Sequence, residues 1–268
     1  MTDALKAAMA KLPALEPGHV WLAGAGPGDP GLLTLHALAG LAQADIIVHD
    51  ALVDPRVLAL ARPGARLEFA GKRGGKPSSS QANITDRVIA LARAGHRVLR
   101  LKGGDPCVFG RGGEEALALA GANIPFRIIP GITGGLAALT VASIPATLRG
   151  VNHALIFVTG HAGEGEEAVD WGSLARTRQP IVLYMGLRNL ESIAAALMDA
   201  GVDPREPVAV IASATLPEER LLISELQRVA EEAHALQFEA PAIVAIGSIV
   251  RVRAELLALV AKVPELVA

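Results

Sequence analysis

The sequence predicts two consecutive α/β domains, and three observations carry that reading. Short apolar runs alternate with helix-period stretches from residue 19 to residue 129, Pro130-Gly131 then breaks the chain, and a second alternating series runs from 154 to 250. Composition agrees: of 268 residues 51% are hydrophobic and 19% charged, enough apolar material for a sizeable core and too much for a disordered chain. The length suits one large or two ordinary domains.

Leu5, Ala8, Met9, Leu12 and Leu15 keep helical spacing ahead of Pro17-Gly18, so residues 1–16 are expected to form an amphipathic arm packed on a surface or a partner subunit. The first domain, 17–131, takes strands at 19–23, 45–48, 66–70, 97–101 and 125–129, each a short apolar run bounded by turn residues. Helices are expected between them at 34–44, 55–61, 80–94 and 113–120, where apolar positions recur at helical spacing. A small-residue helix at 133–141 opens the second domain, 132–250, which continues with strands at 154–159, 180–184, 208–212, 220–223 and 242–250 and helices at 190–200 and 225–234. Residues 251–268 are left as a C-terminal tail.

Several function classes drop out. A formal net charge of -2 supplies no basic field for phosphates, so nucleic acid is not an expected partner. The single Cys107 cannot form an internal disulfide and is expected to be inert, and no Cys or Cys/His cluster has metal spacing, so no metal site is expected. His49 and His161 are lone histidines without i,i+4 partners, which favours polar structural roles. Asp3, Lys6 and Lys11 interrupt the N-terminal apolar residues, so a secretory segment is absent and a cytoplasmic location is expected. The uncharged run 128–148 is broken by Pro130, Gly131, Gly134, Gly135 and Pro145 and reads as a buried turn and helix, not a membrane span.

Chemistry is expected where the strands end, because open α/β sheets bind ligands at the carboxyl ends of their strands. The first strand runs into Gly24-Ala25-Gly26-Pro27-Gly28-Asp29-Pro30-Gly31. Gly26, Gly28 and Gly31 match G-x-G-x-x-G, and Asp50 imitates the ribose-binding acid of a dinucleotide fold. Pro27 and Pro30 each remove a backbone donor where a pyrophosphate would sit, so a nicotinamide site is the weaker reading and a structural turn the stronger. A second cluster, 103–113, lacks the Gly-Lys-Ser/Thr of a P-loop; Pro106 biases Asp105 toward an extended conformation that aims its carboxylate into a pocket, and a tight turn capping the next helix is the competing account. Between them the loop Gly71-Lys72-Arg73-Gly74-Gly75-Lys76-Pro77 suits an anionic ligand as well as it suits a solvated surface.

Taken together and in order, GAGPGD at 24–29, GKR at 71–73, GGDPCVFGRG at 103–112, PGIT at 130–133, TGH at 159–161, YMG at 184–186, ATLPE at 214–218 and PAIVAIGSIV at 241–250 resemble the tetrapyrrole methylase family. The match covers about 19 to 250. It implies two α/β domains with the cofactor in the cleft between them, usually as a homodimer. It also implies C-methylation of uroporphyrinogen III at two pyrrole rings by S-adenosylmethionine, giving precorrin-2 via precorrin-1 for sirohaem and cobalamin biosynthesis, with S-adenosylhomocysteine as the by-product. Carried over position by position, the cofactor pocket includes Pro27, Gly103, Gly104, Asp105, Val108, Thr133, Gly134, Met185 and Ala214, with Asp50 as proton acceptor and Lys72 as proton donor. The substrate bears eight carboxylates, and Lys72, Arg73, Arg111 and Arg149, which lie in or beside motif loops, are the candidate contacts for them.

His49, Pro77 and Leu148 depart from the family's frequent Tyr, His and His at these places, all on the substrate side. Another precorrin methyltransferase or a diphthine synthase-like enzyme would keep the same cofactor motifs. A non-catalytic binder of S-adenosylmethionine would leave Asp50 and Lys72 without a role. The resemblance fills the chain, so a fused dehydrogenase and ferrochelatase module is not expected.

Overall fold

Five apolar runs of the first half become one parallel sheet: β1 (Val20–Gly24), β2 (Ile46–His49), β3 (Arg66–Phe69), β4 (Val98–Lys102) and β5 (Phe126–Ile129), in the order β3-β2-β4-β1-β5. The computed structural model describes residues 7, 8, 10–70, 81–161 and 168–262. The chain divides into two compact units, Met1–Gly134 and Gly135–Ala268. In the first, every residue of the central strands β1 and β4 is buried, as a parallel sheet covered on both faces requires.

Alternate residues of β1, β2 and β4 feed two cores. Trp21, Ala23, Ile47, Leu99 and Leu101 pack on one face with Ala37 and Leu41 of α1 (Leu35–Gln43) and Val57 of α2 (Pro55–Leu58). Val20, Leu22, Ile46, Val48 and Val98 pack on the other with Val88 and Leu91 of α3 (Gln81–Arg93) and Ala116 and Leu119 of α4 (Gly112–Gly121). Helix α1 starts where Thr34 Oγ1 accepts the N–H of Ala37 at 3.1 Å, an N-cap that occupies one orphan donor. The end of the N-terminal arm belongs to the first core: Leu15 is fully buried, and its N–H donates to Gln43 Oε1 at 3.0 Å.

Two connections set the site. Strand β1 leaves for β2 through α1 on one face, whereas β4 leaves for β5 through α4 on the opposite face. The chain therefore diverges at the carboxyl ends of the adjacent strands β4 and β1, which makes that point a topological switch of the kind that opens a crevice.

Helix α5 (Gly134–Val141) leads into the second unit, whose sheet comprises β6 (Ile156–Thr159), β7 (Ile181–Tyr184), β8 (Pro207–Ala212), β9 (Arg220–Glu225) and β10 (Ala242–Ile246) in the order β6-β7-β10-β8-β9. Strands β6 and β7 are parallel, and β10 runs antiparallel to both β7 and β8, so β6, β7 and β8 end at one edge. Leu183, Val208, Val210 and Val244 pack with Leu190, Ile193 and Leu197 of α7 (Leu190–Asp199) and Val229 and Ala233 of α8 (Val229–Ala235). Among the described residues no helix is long and apolar enough to cross a membrane.

Several boundaries differ from expectation. Helix α6 (Trp171–Thr177), capped by Asp170, was not expected; its seven residues are too short to display a helical period. Strand β9 reaches Glu225, so the following helix begins only at Val229. The run expected as strand to Val250 followed by a tail instead ends its strand at Ile246 and forms α9 (Ile249–Val260). Gly247, at φ 133, ends the strand in a conformation closed to most other residues, and Ile249 and Val250 then anchor the helix as buried residues.

Candidate active site

At the switch point the backbones of the β1 and β4 loops meet directly. Gly26 and Gly104 exchange hydrogen bonds, Gly26 N donating to Gly104 O at 3.1 Å and Gly104 N to Gly26 O at 2.7 Å. Both glycines sit at positive φ, 71° and 66°. The β5 loop closes on them: a Cβ at Gly131 would lie 2.8 Å from Gly24 Cα and collide with Gly104 O. Asp105 binds these loops together, its Oδ1 accepting the N–H of Cys107 at 2.8 Å and its Oδ2 that of Gly131 at 3.0 Å. The Asp105 carboxylate, expected to be aimed into a pocket, is instead held by two backbone N–H groups as a clamp.

The β1 loop does not open a helix at its glycines. Asp29 caps a single 3-10 turn at Pro30–Leu32, and α1 begins only at Leu35, so Pro27 and Pro30 stand where a dinucleotide site needs donors. Around Gly134 there is open space, with nothing within 4 Å of a Cβ placed there, while Thr133 beside it is buried. Val108 is half-buried in the β4 loop, between the clamp of Asp105 and the left-handed Phe109 and Arg111 at φ 50° and 58°.

Asp50 follows β2 at the same edge. Its Oδ1 accepts the N–H of Leu52 at 3.0 Å, and Gly103 N approaches Oδ1 and Oδ2 at 3.4 and 3.3 Å. Gly103 has to be glycine here, since a Cβ would come within 2.6 Å of Leu52 Cβ. Below lies a buried charged layer: Lys102 Nζ and Arg100 Nε donate to Glu115 Oε1 at 3.0 and 3.2 Å. Burial depresses the pKa of Lys102 first and the charge of Arg100 second, while Glu115 and Asp50 pull the other way.

His49 has the polar structural role expected of it, its Nδ1 lying 3.2 Å from Asp50 O and its ring meeting Phe69 edge-on. Arg111 is exposed and grips Glu114, with Nε 2.9 Å from Oε1, and this hydrogen bond holds the Glu114 carboxyl below its ordinary pKa. Lys72 and Arg73, with the rest of the 71–80 loop, lie outside the described residues.

In the second unit the loops after β6, β7 and β8 share one sheet edge. Gly160 N donates to Tyr184 O at 2.7 Å and Asn189 Nδ2 to Gly160 O at 2.8 Å, locking the 159–161 and 184–186 turns. Met185 is 54% exposed at φ 54°, and Ala214 lies between the left-handed Ser213 and Thr215. The hydroxyl of Tyr184 accepts the N–H of Gly135 at 2.9 Å, a first-turn donor of α5 that has no partner within its helix. Arg149 is exposed in the turn that Asn152 braces by accepting the N–H of Leu148 at 2.9 Å. Of nine non-glycine residues at positive φ among the described residues, five (Phe109, Arg111, Met185, Ser213 and Thr215) fall in these motif loops, and such strain concentrates at functional sites.

The first unit therefore gathers Pro27, Asp50, Gly103, Gly104, Asp105, Val108, Thr133 and Gly134 on the loops of one sheet edge, and the second gathers Met185 and Ala214 on the loops of another. Sequence reasoning passed over Arg100, Lys102 and Glu115. Their signal was a pair of charges two residues apart inside an otherwise apolar central strand. Among the described residues no group of three or more His, Cys, Asp or Glu is placed to hold a metal ion.

Comparison with known proteins bears on the same loops. Residues 19–230 match the family model of tetrapyrrole (corrin/porphyrin) methylases. A uroporphyrinogen-III C-methyltransferase of Sinorhizobium sp is 56% identical over 249 residues, 92% of this chain and 89% of that protein. A siroheme synthase of Zymomonas mobilis is 45% identical over 87% of this chain, which spans 49% of that longer protein. The crystal structure of uroporphyrin-III C-methyl transferase from Thermus thermophilus complexed with S-adenyl homocysteine aligns with TM-score 0.76 at 41% identity, covering 87% of this chain and 99% of the other. The fold, the glycine loops at its strand ends and these likenesses together establish that the chain belongs to the tetrapyrrole methylase family.

Proposed function

We propose that this chain is an S-adenosylmethionine-dependent methyltransferase that C-methylates uroporphyrinogen III on two pyrrole rings, forming precorrin-2 by way of precorrin-1. The observation that carries the reading is the placement of Asp50, a carboxylate fixed by backbone N–H groups, beside the glycine loops of the β4–β1 switch point. Likeness to the Sinorhizobium and Thermus enzymes supports both the reaction and the cofactor.

Pro27, Gly103, Gly104, Asp105, Val108, Thr133, Gly134, Met185 and Ala214 would hold S-adenosylmethionine, a reading supported by likeness to the Thermus enzyme complexed with S-adenyl homocysteine. When bound, that group supplies a methyl on a positively charged sulfonium and leaves as S-adenosylhomocysteine. The chain's own task is to hold a pyrrole carbon in line and keep water out. Asp50 accepts the pyrrole N–H proton, or stabilises positive charge at that nitrogen, as the ring carbon becomes the nucleophile. Lys72 serves as proton donor, and Arg73, Arg111 and Arg149 meet substrate carboxylates, Arg111 exchanging Glu114 for one of them. The working form is a homodimer in the cytoplasm.

Anaerobic incubation with uroporphyrinogen III and S-adenosylmethionine, read by product mass, tests the reading. A gain of two methyl groups is expected; a gain of one removes the second step, and no gain removes the substrate. Asp50→Asn should slow methylation while leaving S-adenosylmethionine affinity unchanged, and full turnover by that variant would take Asp50 out of the mechanism.

A further inference from the structure

The end of β4 carries charge that the proposed chemistry has not used. Val98, Arg100 and Lys102 alternate onto the face that packs against α3 and α4, yet only Val98 is an ordinary core residue there. Arg100 and Lys102 are 2% and 4% exposed, and both lean on one oxygen of Glu115. Two buried cations on one carboxylate leave positive charge in a medium that solvates it poorly. Arg100 Nη1 braces the strand pair, donating toward Val48 O at 3.3 Å and Leu101 O at 3.4 Å.

Lys102 stands differently. It is the last residue of β4, directly before Gly103, whose N–H approaches the Asp50 carboxylate. The parallel register of β2 and β4 sets His49 beside Leu101, so the next step along both strands brings Asp50 alongside Lys102. Asp50 attracts that ammonium electrostatically, as does Glu114, the neighbouring acid on α4, whose hydrogen bonds go to Arg111. The register thus sets Asp50, as a further anion, alongside the buried cluster of Arg100, Lys102 and Glu115.

We propose that Lys102 is a positioning residue for methyl transfer, a buried ammonium that supplies the countercharge behind the Asp50 carboxylate. The inference rests on the role assigned to Asp50 above. In the docked complex the substrate's carboxylates favour protonation of Asp50, and a fixed cation nearby keeps that carboxylate ionised and ready for the chemical step. An apolar residue would fill the same volume without supplying the field.

Single-turnover methylation of uroporphyrinogen III by Lys102→Met, Lys102→Arg, Asp50→Asn and the double variant Lys102→Met/Asp50→Asn tests it. Removing Lys102 leaves Arg100 and Glu115 as a balanced pair, so the fold is expected to hold; Lys102→Gln, which keeps a donor for Glu115, replaces Lys102→Met if it does not. Lys102→Met should slow the chemical step on the order of tenfold or more, with S-adenosylmethionine affinity and substrate KM within about twofold of wild type. Lys102→Arg should restore most of the rate. The double variant should be no slower than Asp50→Asn alone, because Lys102 acts through that carboxylate. A wild-type rate for Lys102→Met, or losses that multiply in the double variant, overturns the inference while leaving Asp50 in place. A full rate for Asp50→Asn overturns the role of Asp50 itself, and with it the inference.

Discussion

Gly131→Ala isolates the contact on which the first glycine cluster depends. The residue lies outside the left-handed region, so alanine can adopt its backbone conformation and any cost is steric. The new methyl would lie 2.8 Å from Gly24 Cα and 3.0 Å from Gly24 C, and it would overlap Gly104 O. These are backbone atoms in hydrogen-bonded positions and cannot rotate away. Overpacking of this kind costs about 1–3 kcal/mol. Separating the loops also strains the charge-assisted bond from Gly131 N to Asp105 Oδ2, now 3.0 Å, which contributes about 1.5–3 kcal/mol. The expected loss is about 3–5 kcal/mol, a large share of the stability of an ordinary domain. Urea denaturation gives the stability change, and calorimetric titration with S-adenosylhomocysteine gives the effect on the pocket, where affinity should fall as well. Gly113→Ala in α4 is the control: a Cβ there meets nothing within 4 Å, and the substitution should stabilise by about 0.4–1 kcal/mol. Wild-type stability and ligand affinity for Gly131→Ala would refute the account of the three loops as a backbone-packed unit.

Three further outcomes follow from the same contacts. Glu115→Gln leaves Arg100 and Lys102 buried against a neutral amide and should cost about 3 kcal/mol or more, measured by chemical denaturation. Tyr184→Phe removes the acceptor of Gly135 N and should cost about 1–3 kcal/mol, with faster amide hydrogen exchange localised to the first turn of α5. Burial raises the Glu206 pKa, partly opposed by Arg251, so this carboxyl binds its proton more tightly folded than unfolded. Its contribution therefore lowers stability as pH rises through the interval between the unfolded and folded values, and Glu206→Gln should flatten the slope of stability against pH above about pH 4.5.

Periodicity alone was enough to place all five strands of the first sheet: β1 and β4, buried on both faces, are short apolar runs, and the largely exposed β3 and β5 are still short runs bounded by turn residues. The motif loops were legible for a related reason: Gly24 and Gly131 sit where backbones touch and Gly103 sits against Leu52 Cβ, and such close approach favours glycine. Short or late elements were not legible. Helix α6 has too few residues to show a period, and Ile249 and Val250 look like a strand's end until Gly247 turns the chain and buries them in α9.

The sequence by itself determined the two-domain α/β class and the glycine loops, since apolar spacing and glycine are local signals that survive without coordinates. Only the tertiary structure decided that Asp105 clamps Gly131, that Tyr184 caps α5, and that Lys102 and Glu115 form a charged layer at the base of Asp50. Those contacts join residues 26, 49 and 13 positions apart, and nothing in their sequence neighbourhoods shows which partner each has. The cost of burying a charge or an amide is met by whichever partner the fold brings within hydrogen-bond reach, and that pairing exists only once the sheet register is set.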